Sequence, residues 1–249
     1  MSDIFKAGKR KYHRGSISVS FTMSSDAMKR FQKLNTGGEK ALKRLVSDFS
    51  SRAPGWVSQG LREHYNIKGA DIKQAHKKTR RGANKVDVAG ITVDGATLVY
   101  EGYQLTPLHY GMKPKKWKKR SGKKKVKVPG EYVGSKPIVA TIRPQNPYTI
   151  TAEVVRGQTE TMAPDTFLAK SRYGPILPFQ RRGEERKDIE VVRGPSVPEL
   201  IDGPKGMNDG SKELEGYKDT ADKARKTINE IINKNLEKRL NNHITNAMR

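Results

Sequence analysis

The feature that most limits how this chain can fold is the lysine-rich segment 113–127. Ten of its fifteen residues are Lys or Arg, and none is acidic. Like charges at this density repel one another, and burying an unpaired charge is very costly, so the segment cannot belong to a packed core. We expect a mobile loop that projects into solvent or onto phosphates. A loop that only improves solubility is the alternative interpretation.

The basic segment predicts binding to nucleic acid. Each Lys or Arg placed against a phosphate releases condensed counterions, which gives salt-sensitive affinity without sequence specificity. Trp117 could stack on a base or insert into a partner protein. A second basic cluster, at 77–81, is expected to lie close to the first in space. The predicted DNA-binding residues are Lys113, Lys115, Lys116, Trp117, Lys118, Lys119, Arg120, Lys123, Lys124, Lys125, Lys127, Lys77, Lys78, Arg80 and Arg81.

The net charge is distributed unevenly along the chain. The 50 Lys and Arg residues exceed the 26 Asp and Glu residues by 24, and residues 1–149 carry +22 of this net charge. This predicts a part that faces a polyanion, with a basic arm at 1–15, and a nearly neutral remainder available for protein contacts. The chain has no Cys, which excludes disulfides, thiol nucleophiles and Cys-ligated metals. Neither a signal peptide nor a membrane-spanning run is recognisable, so we expect a soluble protein from a reducing compartment.

Apolar periodicity predicts a strand and then helices in the first third of the chain. Over 16–23, apolar and polar residues alternate, which indicates a half-buried strand. The region 25–78 is expected to be helical. Within it, Thr36 and Glu39 have the spacing of a capping box at a helix start. Pro54 should kink or end that helix, because proline removes a backbone hydrogen bond.

The middle of the chain switches to the two-residue period of strands. Residues 84–103 predict a strand pair or a meander, with breaks at Gly90 and at a turn over Asp94-Gly95. Further strands are predicted over 137–142, 148–155, 167–169, 176–180 and 188–192. Helices followed by strands without regular alternation indicate an α+β fold. In it, the N-terminal strand and helices pack on a largely antiparallel sheet.

A linker and a long amphipathic helix are predicted at the C-terminus. Residues 201–210 are rich in Gly, Pro and Asp, and the segment 211–249 carries apolar residues at intervals of three and four. A helix of this length after a flexible linker can pack on a neighbouring subunit, and packing on its own domain is the alternative. The residues assigned to a subunit interface are Ile228, Ile231, Leu236, Leu240 and Ile244.

The sequence carries no recognisable catalytic motif. It has no phosphate-binding glycine loop, no nucleophile elbow and no His-Glu-x-x-His zinc motif. Asp87, Asp94 and Glu101 recur every seven residues and could hold Mg²⁺ in a nuclease, which is one alternative function. The predicted turn at Asp94 disfavours this site. We therefore expect no catalytic residues, no metal and no cofactor.

Several short motifs follow one another in a particular order along the chain. Helical residues 41–45 precede a Tyr-Asn-Ile-Lys turn at 65–68, and a β-rich middle follows. A Phe-Gln-Arg-Arg-Gly motif lies at 179–183, and Gly-Pro-Ser-Val-Pro-Glu lies at 194–199. Over about residues 16–200, this order resembles the minor tail protein Z family of tailed bacteriophages, the tail-completion proteins.

The resemblance implies a structural virion protein without catalytic residues. Such proteins act at the head-proximal end of the tail, in a ring around the DNA channel between the tail tube or terminator and the head connector. The implied partners are therefore those proteins, the genomic DNA end and further copies of the chain, taken as a hexamer, with no membrane. The chain would occupy the host cytoplasm during assembly and the virion afterwards. Relative to a compact family member, the segment 113–127 looks like an insertion. A non-enzymatic nucleic-acid-binding protein of a ribonucleoprotein is the main alternative.

Overall fold

The structure is a computed structural model that describes residues 4–22, 25–80, 92–116, 124–133, 136–142, 149–171, 174–181, 189–203 and 212–248. It confirms the predicted α+β class. The helices are α1 (Ser25–Gln32), α2 (Asn35–His64), α3 (Gly69–Ala75), α4 (Val197–Asp202) and α5 (Lys212–Ala247), with a 3-10 helix at Pro107–Tyr110. The strands are β1 (Lys6–Ala7), β2 (Tyr12–Thr22), β3 (His76–Arg80), β4 (Thr92–Tyr103), β5 (Lys124–Val133), β6 (Lys136–Ile142), β7 (Thr151–Ala152), β8 (Glu160–Thr161), β9 (Phe167–Lys170), β10 (Ile176–Arg181) and β11 (Ile189–Arg193).

The described strands form four antiparallel sheets instead of one. Their orders are β1-β11-β10-β9, β2-β4-β3, β5-β6 and β7-β8. The three-stranded sheet carries the longest pairing, between β2 and β4. Helices α4 and α5 pack against β2, so one apolar core lies between this sheet and the helices. Antiparallel pairing was correctly predicted, but the division into separate sheets was not.

Helix α2 is continuous through Pro54, so the alternative that proline ends the helix is wrong. Ala53 and Val57, on either side of the proline, are fully buried. Their packing offsets the roughly 3 kcal/mol that an interior proline costs a helix. The start of α2 also differs from the prediction, since Thr36 lies inside the helix and the capping residue Leu34 makes no side-chain capping bond.

Helix α5 packs along α2 of the same chain, and this corrects the predicted subunit interface. Four of the five assigned residues are buried within the chain's own core: they are Ile228, Leu236, Leu240 and Ile244. Ile231 is only partly buried. The apolar stripe was recognised correctly, but it is covered by α2 and cannot also cover a neighbour. No helix in the described ranges is both long and apolar enough to cross a bilayer.

The predicted arm 1–15 and the predicted linker 201–210 both contribute residues to regular elements of the fold. In the arm 1–15, Phe5 is buried, β1 pairs with β11, and β2 already begins at Tyr12. The predicted linker 201–210 overlaps the end of α4, where Ile201 is fully buried, while its residues 204–210 lie outside the described part. In each segment an apolar residue, Phe5 or Ile201, is buried in the core, and the basic or polar composition around it does not reveal this.

The predicted turn at Asp94-Gly95 is a bulge within β4. Val19 pairs with Ala96 and Phe21 with Val93, so one residue of β2 faces two residues of β4. Glycine is common in β-bulges as well as in turns, so an Asp-Gly pair in the sequence does not distinguish the two. The first half of the predicted strand pair, 84–91, lies outside the described residues.

Candidate nucleic-acid interface

The residues that lead into the basic segment 113–127 are held firmly by the core. The preceding 3-10 helix ends at Gly111, whose φ of 68° is left-handed and suits glycine. Tyr110 and Met112 on either side are almost fully buried. The phenol of Tyr110 donates a hydrogen bond of 2.6 Å to the carbonyl oxygen of Pro195. The first lysines of the segment are therefore held by the core at a defined position.

The backbone of Lys113 is hydrogen-bonded to Thr151 of β7. Its backbone N–H donates to the carbonyl of Thr151 at 2.8 Å, and the N–H of Thr151 donates back at 2.9 Å. Lys113, Lys115 and Lys116 are all exposed. The structure thus places three of the predicted DNA-binding residues on the surface, the first of them paired with Thr151 of β7.

The end of the basic segment is a strand, which corrects the prediction of a mobile loop throughout. Lys124, Lys125 and Lys127 lie in β5 and pair with Ile142, Thr141 and Val139 of β6. These two strands form a two-stranded sheet of their own, here called the basic ribbon (β5 and β6). A two-stranded ribbon need not bury either face in a core, so it accommodates a charge density that a central strand could not.

The remaining predicted residues of the segment are not described. Trp117, Lys118, Lys119, Arg120 and Lys123 lie outside the described residues, as does Arg81 of the second cluster. Their assignment to DNA contact remains a prediction from the sequence.

The second basic cluster lies on the edge strand β3. Lys77 is exposed, and Lys78 and Arg80 pair through their backbones with Val99 and Thr97 of β4. Cations on an edge strand commonly prevent pairing with another sheet, which is a structural role that needs no DNA. The two basic clusters belong to different sheets.

A further group of exposed cations and aromatic rings was missed by the sequence analysis. Arg10 lies over the ring of Tyr103, with 4.2 Å from its guanidinium carbon to the ring centroid. Tyr103 in turn meets Tyr12, its partner across the β2–β4 pair, with centroids 5.0 Å apart. The signal available in the sequence was weak, because it consists of two tyrosines separated by 90 residues.

Of the three carboxylates considered for a metal site, Glu101 has other partners and Asp87 is not described. Glu101 accepts a hydrogen bond of 2.8 Å from the phenol of Tyr12 and pairs with the guanidinium of Arg14 at 3.2 Å. The hydrogen bond to Glu101 raises the pKa of the Tyr12 phenol. Asp94 lies in the β4 bulge, and Asp87 lies outside the described residues. In the described ranges, no group of three or more His, Asp or Glu residues could hold a metal ion.

Comparison of the chain with protein-family models, curated proteins and solved structures found no match. The Gly-Pro-Ser-Val-Pro-Glu motif at 194–199 has a clear structural role in this fold. Ser196 caps α4 by accepting the N–H of Glu199, whose carboxylate accepts the N–H of Ser196 in return. This reciprocal capping box is buried and joins α4 to the core.

Proposed function

We propose that this chain is a structural virion protein at the head-proximal end of a phage tail. There it forms a ring, taken as a hexamer, around the DNA channel and contacts the DNA without sequence specificity. The motifs between residues 41 and 199 support the tail assignment through their resemblance to the minor tail protein Z family. The partners proposed with it are the tail tube or terminator, the head connector and the end of the genome.

The main support for DNA binding is the basic segment 113–127, whose first residue is fixed to the fold by backbone hydrogen bonds. It has ten cations in fifteen residues, and it leads from the core-held Lys113 into a ribbon outside the main sheets. Duplex DNA carries one charge per ~1.7 Å of axis, so roughly sixty cations from six copies would match about 100 Å of duplex. Attraction of this kind holds DNA without fixing its register, which suits a channel that DNA must later leave.

The proposed ring needs subunit contacts from surfaces other than the apolar stripe of α5. Closure of a ring requires two different patches on each subunit, one for each neighbour. The stripe is buried against α2, so it is not available for either patch. Other exposed surfaces, such as sheet edges and the polar side of α5, would have to supply both patches.

Neutralising the basic segment tests the DNA contact. The test variant replaces seven lysines by Gln at Lys115, Lys116, Lys118, Lys119, Lys123, Lys124 and Lys125. The matched control replaces seven exposed lysines of α1, α2 and α5, namely Lys29, Lys40, Lys218, Lys223, Lys226, Lys234 and Lys238. Both variants lose the same net charge. Duplex affinity is measured by fluorescence anisotropy over a series of salt concentrations.

The slope of log affinity against log salt distinguishes a local contact from general charge. Each lost phosphate contact reduces this slope by about 0.9, so the test variant should lose up to about six units of slope. The control should keep nearly the parental slope, because its lysines lie elsewhere on the surface. Equal slopes in the parent and the test variant would show that the segment does not touch phosphate.

The tail assignment has a separate genetic test. The gene should lie in a phage or prophage genome beside genes for connector and tail-terminator proteins. Deleting it there should leave full heads and finished tails that do not join, as seen by negative-stain microscopy. Infectious particles without the protein would refute the assignment. Co-sedimentation with ribosomes would favour a ribonucleoprotein, and Mg²⁺-dependent cleavage of DNA would favour a nuclease.

A further inference from the structure

Three cations, Lys6, Arg10 and Arg193, lie on neighbouring segments near the N-terminal strand β1. Lys6 of β1 is the direct cross-strand partner of Arg193 in β11. Like charges in directly opposite positions destabilise a sheet. Burial and the nearby charge of Arg10 lower the pKa of the Arg193 guanidinium. Within the part of the chain that the structure describes, no ion pair joins any of these three cations to an acid.

Arg193 also carries a buried donor that is not used in the fold. Its Nε is inaccessible to solvent and has no hydrogen-bond partner among the described residues. A buried donor without a partner costs about 1–3 kcal/mol. Arg193 as a whole is only partly buried, so an anion would reach its guanidinium through the terminal nitrogens and would relieve the repulsion among the cations.

Exposed aromatic rings lie beside these cations. Tyr12 and Tyr103 are 52% and 46% exposed, and they are two of only four large apolar side chains exposed in the described ranges. Their edge-to-face packing leaves ring surface open to solvent. Arg10 stacks over Tyr103 and thereby links the aromatic pair to the cations. Large rings next to cations are the elements with which proteins bind unpaired nucleotides.

The surrounding backbone holds this group in place. Phe5 is buried and packs edge-on against Tyr110, which anchors β1 beside β11. After the crossing to β2, the carbonyl of Lys11 accepts the N–H of Gln104 at 3.0 Å. Lys6, Arg193, Tyr12 and Tyr103 are therefore carried by paired strands, and Arg10 lies in the short connection between β1 and β2, so a ligand would have little to order. Sites that are ordered in advance bind more tightly for the same contacts.

We infer that Lys6, Arg10 and Arg193, together with Tyr12 and Tyr103, form a binding site for single-stranded nucleic acid. The phosphate backbone lies along the cations, and unpaired bases stack on the tyrosine rings. Bases inside a duplex already stack on one another, so the rings select single strands or frayed ends. The site goes beyond the proposed function, because it would act in a virion or in a ribonucleoprotein alike.

The test compares single-stranded and duplex DNA on the same variants. The probe is a fluorescent oligothymidine of about twelve nucleotides, within the usual range of single-strand sites. The double variant Tyr12→Ala/Tyr103→Ala should lose at least about fivefold in affinity for oligothymidine. It should bind duplex DNA as the parent does. Tyr12→Phe/Tyr103→Phe keeps both rings and should retain the oligothymidine affinity.

The controls separate stacking from charge and from loss of fold. Met248→Ala removes another exposed apolar side chain and should change neither affinity. Circular dichroism verifies that each variant is folded. Unchanged oligothymidine binding in the folded double alanine variant would overturn the inference, and so would an equal loss for duplex and single strand. The seven-lysine variant of the basic segment should lose duplex affinity and keep the preference for unpaired bases, so this site and the segment are tested independently.

Discussion

Gly60 lies where α2 crosses α5, and replacing it by Ala tests the close packing of these two helices. A Cβ built at Gly60 would lie 2.6 Å from Cγ1, 3.1 Å from Cα and 3.3 Å from N of Ile228. Two of these atoms belong to the α5 backbone, so a rotamer change of Ile228 cannot make room. The two helices would have to separate to accept the methyl group.

The size of the effect follows from two opposing terms. Adding a methyl group to a close-packed contact costs typically about 1–3 kcal/mol, and contact with backbone places Gly60→Ala in the upper half of that range. Alanine gains about 1 kcal/mol over glycine inside a helix. The net loss of stability should therefore be about 1–2 kcal/mol.

Gly55 in the same helix provides the matched control. It is exposed, and nothing lies within 4 Å of a Cβ built there. Gly55→Ala should therefore show only the helix gain of about 1 kcal/mol. The two variants should differ by about 2–3 kcal/mol, or about 5–10 °C in Tm for a chain of this size.

Urea unfolding followed by circular dichroism measures the difference through the transition midpoints. Size-exclusion chromatography of both variants shows whether the oligomeric state is unchanged. Equal midpoints for Gly60→Ala and Gly55→Ala would refute the intrachain packing of α5 on α2. The apolar stripe of α5 would then again be available for a neighbouring subunit.

Three further predictions concern the core. Ser196→Ala removes the acceptor of the Glu199 N–H and should lower the free energy of unfolding by about 1 kcal/mol, as measured with denaturant. An unchanged free energy of unfolding would argue against the capping box. Leu240→Asp should abolish folding, whereas Ile231→Asp should be better tolerated, because Leu240 is fully buried and Ile231 is not. Thermal melts that look alike for the two variants by circular dichroism would contradict this difference. Burial raises the pKa of four phenols above the ordinary value of 10.0, namely those of Tyr65, Tyr100, Tyr110 and Tyr217. The native state then keeps protons that the unfolded chain loses, so stability should fall as the pH rises beyond 10, and ultraviolet titration should show these phenols ionising only on unfolding.

Local patterns were sufficient where the signal repeats within one element. The two-residue alternation around Ile17 predicts β2, and intervals of three and four predict α5, because each pattern reports one apolar face of its own element. The short apolar runs 167–169, 176–180 and 188–192 coincide with β9, β10 and β11. Charge density was equally informative, since ten cations in fifteen residues cannot enter a core in any fold.

Long-range contacts decided what the local patterns left open. Periodicity shows that α5 has an apolar face, but only the position of α2 shows that the chain itself covers it. Pro54 signals a helix end, and burial of its neighbours overrides that signal. The basic arm carries few apolar residues, yet Phe5 and a two-residue strand fix it beside β11. The meeting of Arg10, Arg193 and the two exposed tyrosines joins residues up to 183 positions apart, and no local window contains that proximity. Adjacent residues determine the shape of an element, whereas the free energy of its contacts with distant elements determines its neighbours.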